Sequence, residues 1–175
     1  EPLAPLAQPI SVAAACKHVC GPVKEDDQDY CLAEVIDFPQ QGYRVVLTTG
    51  NDGVGGGTGG ARWAHTTAHR FMGALGSRIP SFDRQSHFPD RDQFWQLLCE
   101  KVKAFFFPTI NWVTGCLHNF GTAEVGTDAR NRPKVFGCTW VCAVAICDLW
   151  TGRVELTGYA VGDSNFFLVT PDQIE

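Results

Sequence analysis

The chain has 175 residues, of which 45% are hydrophobic and 19% are charged, and its formal net charge is −5. This length and composition predict one globular domain with a buried core and exclude a disordered chain. The acidic charge and the scattered lysines and arginines argue against a nucleic-acid-binding protein, and no apolar stretch has the length of a membrane-spanning helix.

The eight cysteines first suggest a disulfide framework. A chain of this length with an apolar core does not need one, so we predict reduced thiols and a cytoplasmic location. Cys16, His18 and Cys20, with Cys31 further along, offer zinc-ligand types, but their spacing is loose and a second paired cluster is missing. We therefore favour structural thiols over a zinc site.

The first part of the chain predicts an arm followed by strands. Residues 1–10 contain three prolines without periodicity and are predicted to be an arm or linker. Residues 11–20 predict a short strand. Residues 30–36 and 43–48 predict two antiparallel strands joined by a loop that contains Pro39.

Two helices are predicted next. In residues 61–75, apolar side chains recur at four-residue spacing, which is typical of an amphipathic helix. Residues 90–107 have an acidic start and an apolar stripe, and predict a second helix. Residues 110–113 either extend this helix after a kink or form a separate turn. The residues predicted to end the two helices are Gly73, Gly76 and Pro108.

The last part of the chain is predicted to be a polar loop and then strands. The loop covers residues 119–133, and the strands cover residues 135–149, 154–161 and 165–169. The apolar run at 139–146 predicts a central strand that is covered on both faces. Strands, two helices and further strands, in that order, predict an α+β domain with helices packed on antiparallel sheet.

Aspartates stand at the ends of predicted strands. Asp29 precedes the first strand of the hairpin, Asp52 follows the second, and Asp163 lies between the last two strands. If the first two strands pair, Asp29 and Asp52 lie at the same end of the hairpin. The glycine-rich segment 53–60 leaves backbone carbonyls uncovered, and hard divalent cations prefer carbonyl and carboxylate oxygens. Two interpretations stay open, a cation site for phosphoryl chemistry or simple turn formation.

Four segments resemble, in order, the motifs of the PP2C family, the metal-dependent protein serine/threonine phosphatases. Residues 24–30 (Lys-Glu-Asp-Asp-Gln-Asp-Tyr) resemble its opening Arg-x-x-Asn-Gln/Glu-Asp segment. Residues 51–56 (Asn-Asp-Gly-Val-Gly-Gly) resemble its Asp-Gly-x-Gly-Gly loop, in the bacterial-type form. Residues 136–141 resemble its Gly-x-Thr strand entry, and residues 159–164 resemble its Val-Gly-Asp-Ser turn.

The resemblance implies an α-β-β-α sandwich with two Mn²⁺ or Mg²⁺ ions between the sheets, and a phosphoprotein substrate. A bridging hydroxide would attack phosphorus in line without a phosphoenzyme. Residues 11–175 would form the PP2C-like domain. The family carries two further metal-binding aspartates beyond the part that this sequence matches, so we expect a further segment or a partner to complete the sheet and the site.

The resemblance also implies roles for residues at the metal centre. Asp52 would bridge the two ions, and the Gly53 carbonyl would bind one of them. Asp29 and Gln28 would hold metal-bound waters. Asp163 would contribute to a third, more weakly held ion.

At two further positions the sequence departs from the family pattern. Lys24 stands where the family usually has a phosphate-binding arginine, so it offers a point charge without the bidentate fork. Asn165 replaces the arginine that usually follows Gly-Asp-Ser. These changes and, above all, the two family aspartates that this sequence does not match leave an alternative, a catalytically inactive PP2C-like pseudophosphatase or scaffold. Such a module would bind proteins through the sheet or through an exposed member of the three phenylalanines at 105–107, but for these phenylalanines we favour a helix end buried against two sheets.

Two other interpretations concern single motifs. Residues 55–60 fit the dinucleotide-binding pattern Gly-x-Gly-x-x-Gly, which requires a second parallel strand shortly afterwards. The region that should supply it, residues 77–83, is a proline-bearing loop. His65 and His69 stand one helical turn apart and could bind a metal, but the sequence offers no evident third ligand, so we favour a surface helical pair.

Overall fold

The computed structural model describes residues 12–15, 29–53, 59–81, 90–123 and 137–163. These residues form one antiparallel sheet and two helices, which confirms the α+β class. The predicted arm at 1–10 and strand at 165–169 lie outside the described residues, as does most of the strand predicted at 11–20. The elements in chain order are β1 (Asp29–Phe38), β2 (Tyr43–Gly53), α1 (Gly59–Arg78), α2 (Arg91–Ala123), β3 (Cys138–Asp148) and β4 (Val154–Val161).

The four strands lie in the order β1-β2-β3-β4, and each pairs antiparallel with its neighbour. This topology argues against the dinucleotide-binding interpretation, because no described strand is parallel to another and α1 is followed by α2 instead of a strand. The glycine loop between β2 and α1 falls mostly outside the described residues.

One face of the sheet packs against both helices, and we call it the helix face. Phe71 of α1 meets Trp140 edge to face, with ring centroids 5.7 Å apart. Phe94 of α2 stacks on Tyr43 with ring centroids 5.7 Å apart. Burial of these rings, together with the alternate residues of β2 and β3, removes apolar surface from water and stabilises the fold. The largest fully buried side chains include Trp140, Tyr43, Phe38, Phe71, Phe94, Phe106, Leu47 and Leu75.

The other face of the sheet, which we call the opposite face, carries a row of small and apolar side chains across its middle. Val35 pairs with Val46, which pairs with Ala145, which pairs with Leu156, so these four residues form one row across the sheet. Val35 is 38% exposed and Leu156 is 41% exposed. Among the described residues, neither helix packs against this face.

The β1–β2 turn depends on a glycine with a left-handed backbone conformation. Gly42 has a φ of 70°, and a Cβ there would lie 2.5 Å from the ring of Trp150. A side chain would be strained by the backbone and would clash with the ring. Gly42 also accepts a hydrogen bond from Leu149, which joins this turn to the β3–β4 turn.

Helix α1 is longer than predicted, and the prediction that Gly73 and Gly76 help to end it is wrong. Both glycines lie inside the helix, which continues to Arg78. A Cβ at Gly76 would lie 2.7 Å from a carboxylate oxygen of Glu34 on β1. Gly76 therefore marks a close approach of the helix to the sheet.

Helix α2 also continues past its predicted end, because it passes through Pro108 and reaches Ala123. A proline inside a helix loses one backbone hydrogen bond and costs about 3 kcal/mol. Phe106, Ile110 and Val113, on both sides of Pro108, are 0%, 4% and 0% exposed, and their burial offsets that cost. The helix therefore covers the start of the segment predicted to be a loop. Within the described part of the chain, neither helix combines the length and apolar character needed to cross a membrane.

Candidate functional site at the edge of the sheet

Asp29 and Asp52 are cross-strand partners at one end of the β1–β2 hairpin, so the prediction that they share an end is confirmed. Directly opposed residues in an antiparallel pair have Cβ atoms about 4.5–5.5 Å apart. Asp29 is half-buried and Asp52 is exposed. The two residues therefore lie side by side at the end of the hairpin, and we call this pair the acidic edge.

Asp52 lies inside β2, whereas the sequence pattern predicted that it follows the strand. Its neighbour Asn51 is buried on the helix face, where its side-chain nitrogen donates to the carbonyl of Tyr30 at 3.4 Å and to Thr49 Oγ1 at 3.3 Å. The Trp140 indole also donates to Thr49 Oγ1, at 3.0 Å. This buried network ties β1, β2 and β3 together. Because neighbouring strand residues point to opposite faces, it holds Asp52 on the opposite face.

Asp163 follows β4 at the same end of the strands as Asp29 and Asp52, after a turn at Gly162. Val161 pairs with Trp140, and Gly162 then turns with a φ of 87°. A Cβ at Gly162 would lie 2.8 Å from the Thr139 side chain. The strand that leads to Asp163 lies two positions from β2, which is about 10 Å at the usual strand spacing. Asp163 therefore follows a strand that is not adjacent to β1 or β2.

Cys138 lies behind the acidic pair and is a neutral thiol. Burial raises its pKa, a hydrogen bond with Thr67 offsets part of this rise, and the carboxylate of Asp52 adds to the rise. The Thr67 hydroxyl lies 3.5 Å from the Cys138 sulfur. A thiol with a raised pKa is a poor nucleophile, so the chemistry of this edge rests on its carboxylates.

The described ligand set consists of Asp29, Asp52 and the backbone carbonyl of Gly53 at the end of β2. Lys24 and Gln28, which the resemblance places in the site, lie outside the described residues. In the part of the chain that the structure describes, no three His, Cys, Asp or Glu side chains converge on one point. Two carboxylates with water fit Mg²⁺ or Mn²⁺, since proteins commonly hold Mg²⁺ through one or two carboxylates and several waters.

The sequence did not reveal that a tyrosine joins the histidine pair of α1. Tyr30 Oη lies 3.0 Å from His69 Nε2, and the Tyr30 ring centroid lies 4.5 Å from that of His65. The two imidazole centroids are 4.2 Å apart. Burial and then the neighbouring His69 lower the pKa of His65. The only sequence signal for this contact is the alternation of side chains along β1, which assigns Tyr30 to the helix face.

Comparisons with known proteins give no match for this chain among family models, curated proteins or solved structures. A functional interpretation therefore rests on the geometry of the site and on the sequence motifs.

Proposed function

We propose that this chain is a metal-dependent phosphatase domain of the PP2C type, which hydrolyses phosphoserine and phosphothreonine esters in proteins. The observation that carries the proposal is the pairing of Asp29 with Asp52 at the edge of the sheet. These two residues come from two separate segments that resemble PP2C motifs, residues 24–30 and 51–56. The segment with Asp163 follows β4 at the same end of the strands.

The chemistry of the edge suits a phosphate ester. Mn²⁺ or Mg²⁺, held directly by Asp52 and the Gly53 carbonyl and through water by Asp29, would supply Lewis acidity toward the phosphoryl oxygens. Asp52 is exposed, so a substrate can reach it from solvent. Lys24 would place a positive charge on the phosphate, Gln28 would hold metal-bound water, and Asp163 would contribute to a third, more weakly held ion.

We further propose that the sheet is one of two in an α-β-β-α sandwich. Its opposite face bears the exposed apolar side chains of Val35, Val154 and Leu156. Such a face is typical of a sheet that packs against a second layer. A further chain segment or a partner protein would supply that layer together with the remaining aspartates.

The proposal is tested by Mn²⁺-dependent hydrolysis of a small aryl phosphate and of a phosphothreonine peptide. Asp52→Asn should reduce kcat/KM by at least about a hundredfold, because it removes a charge that fixes the cation. Asp29→Asn should give a smaller loss, since this residue is expected to hold water at the ion.

Asp37→Asn is the matched control. Asp37 lies on the same strand and the same face as Asp29, at the other end of β1, where it pairs with Arg44. Its substitution should leave hydrolysis unchanged. Equal activity in Asp52→Asn and in the natural sequence would contradict the proposal.

A second candidate function is protein binding by an inactive PP2C-like module. It is favoured by the finding that the described residues bring only two carboxylates together, and by the exposed apolar residues of the opposite face. A folded chain that neither hydrolyses phosphate esters nor binds Mn²⁺ would support this candidate over the phosphatase.

A further inference from the structure

Tyr30, His65 and His69 form a compact cluster on the outer part of the helix face, which we call the His–Tyr cluster. The two histidines stand one turn apart on α1 and are both exposed. Tyr30 extends from β1 and contacts both rings, with centroid distances of 4.5 Å and 5.5 Å. Three side chains with nitrogen or oxygen donors therefore meet where a helix packs beside a strand.

The distance between the Tyr30 and His69 donor atoms suits a single metal ion. Bonds of about 2.0–2.1 Å in a tetrahedral zinc site place two ligand atoms roughly 3.3 Å apart. Tyr30 Oη and His69 Nε2 lie 3.0 Å apart, close to that separation. Two histidines at positions i and i+4 of a helix form a common half of a zinc site, because both rings project from one face.

We propose that the His–Tyr cluster is a binding site for a divalent transition-metal ion of the zinc type. His65 and His69 are its nitrogen ligands, and Tyr30 supplies the third protein ligand. When Tyr30 coordinates, its O–H bond breaks, the proton passes to solvent, and the phenol oxygen donates its electron pair to the ion. Water fills the remaining position, since the histidines are exposed.

The His–Tyr cluster differs from the acidic edge in position and in chemistry. Asp29 and Tyr30 are neighbours in β1, so their side chains lie on opposite faces of the sheet. The acidic edge offers carboxylate oxygens, which suit Mg²⁺ and Mn²⁺, whereas imidazoles suit zinc and copper. The two sites are therefore expected to select different ions.

The site also has a structural consequence. A metal ion held by Tyr30 and the two histidines would link β1 to the first half of α1. Because an ion that binds only the folded chain stabilises it by mass action, Zn²⁺ should raise the midpoint of thermal unfolding. Mg²⁺ should not raise it through this cluster.

Zn²⁺ titration calorimetry of the full chain, after its accessible thiols have been alkylated, tests the proposal. The alkylation removes cysteine as a competing ligand. We expect one Zn²⁺ to bind, and His65→Gln or His69→Gln to weaken binding by about a hundredfold. Tyr30→Phe keeps the ring and removes the ligand oxygen, and should weaken binding by about tenfold. It should also change the visible spectrum of bound Co²⁺.

His118→Gln is the matched control, because it removes one imidazole from a different helix, and it should bind Zn²⁺ as the natural sequence does. Thermal unfolding without metal should show that all four variants fold. Unchanged Zn²⁺ affinity in either cluster histidine variant, or in Tyr30→Phe, would overturn the three-ligand site. Absence of Zn²⁺ binding by the folded, alkylated natural sequence would also overturn it.

Discussion

Asp148 is a buried charged residue whose carboxylate is held by several hydrogen bonds. It is 4% exposed, at the end of the sheet away from the acidic edge. One carboxylate oxygen pairs with the guanidinium of Arg91 and accepts hydrogen bonds from the backbone of Trp150 at 2.9 Å and of Thr151 at 3.0 Å. Arg91 in turn stacks over the Trp150 ring at 4.2 Å. This network joins the start of α2 to the β3–β4 turn.

We predict that Asp148→Asn lowers the free energy of unfolding by about 3 kcal/mol at neutral pH, because it leaves a partly buried guanidinium without its counter-charge. Burial alone would raise the pKa of Asp148, but hydrogen bonds from Arg91, Thr151 and Trp150 outweigh it and lower the pKa. The carboxylate therefore stabilises the fold above the ordinary aspartate pKa. That contribution is lost as the pH falls through the lowered folded value.

Urea unfolding at several pH values measures this effect. The stability difference between the natural sequence and Asp148→Asn should shrink as the pH falls through the acid range. Asp37→Asn is a suitable comparison, because the Asp37–Arg44 pair is exposed and such pairs contribute little. A loss at neutral pH as small as that of the comparison variant would contradict the role given to Asp148.

The acidic edge and the His–Tyr cluster show which site residues a sequence can reveal. Asp29 and Asp52 were predictable as neighbours, because hairpin pairing follows from two short strands and one loop. The contact of Tyr30 with His65 and His69 was not predictable. It depends on where α1 crosses β1, and periodicity gives a helix face without giving its position along the strand.

At the scale of elements, local patterns located β4 fully and the helices only in part. β4 begins and ends at the residues that the pattern predicts, Val154 and Val161, because the Gly152 turn and strand propensity agree. The predicted ends of α1 and α2 were wrong, because tertiary packing there overrides the low helix propensity of glycine and proline. Gly76 fits against Glu34, and Pro108 lies between buried residues of α2. Neither contact is visible from the neighbouring sequence.

The burial of α2 around Pro108 leads to a prediction about adjacent phenylalanines. Phe106 is fully buried and meets Phe71 edge to face at 6.0 Å, whereas Phe107 is 53% exposed. Phe106→Ala should lower the free energy of unfolding by roughly 3–5 kcal/mol, because it leaves a cavity between the helices. Phe107→Ala should change it by less than about 0.5 kcal/mol.

Urea denaturation of both variants tests whether burial of the ring determines how much stability each substitution removes. The two substitutions remove the same atoms at consecutive positions, so each serves as the control for the other. The exposure of Phe107 differs from the interpretation favoured from the sequence, a helix end buried against two sheets. Similar losses in both variants would show that the exposed ring is also held by packing.

At the scale of the whole molecule, the sheet separates two kinds of ligand chemistry. The acidic edge lies on the opposite face and the His–Tyr cluster lies on the helix face, although Asp29 and Tyr30 are consecutive residues of β1. A pleated strand sends consecutive side chains to opposite faces. One strand end can therefore serve both a hard-cation site and an imidazole site without a shared ligand.

This separation predicts that the two sites act independently. Mn²⁺ should stabilise the natural sequence and His69→Gln against urea, but not Asp52→Asn. Zn²⁺ should stabilise the natural sequence and Asp52→Asn after alkylation of accessible thiols, but not His69→Gln. At a hundredfold excess over its dissociation constant, each ion should contribute about 2.7 kcal/mol. In the variant that carries both Asp52→Asn and His69→Gln, the changes in the free energy of unfolding caused by the two substitutions should add to within about 0.5 kcal/mol, because no ligand is shared. A larger coupling would mean that backbone movement at Asp29 and Tyr30 links the two faces, and that β1 transmits binding from one site to the other.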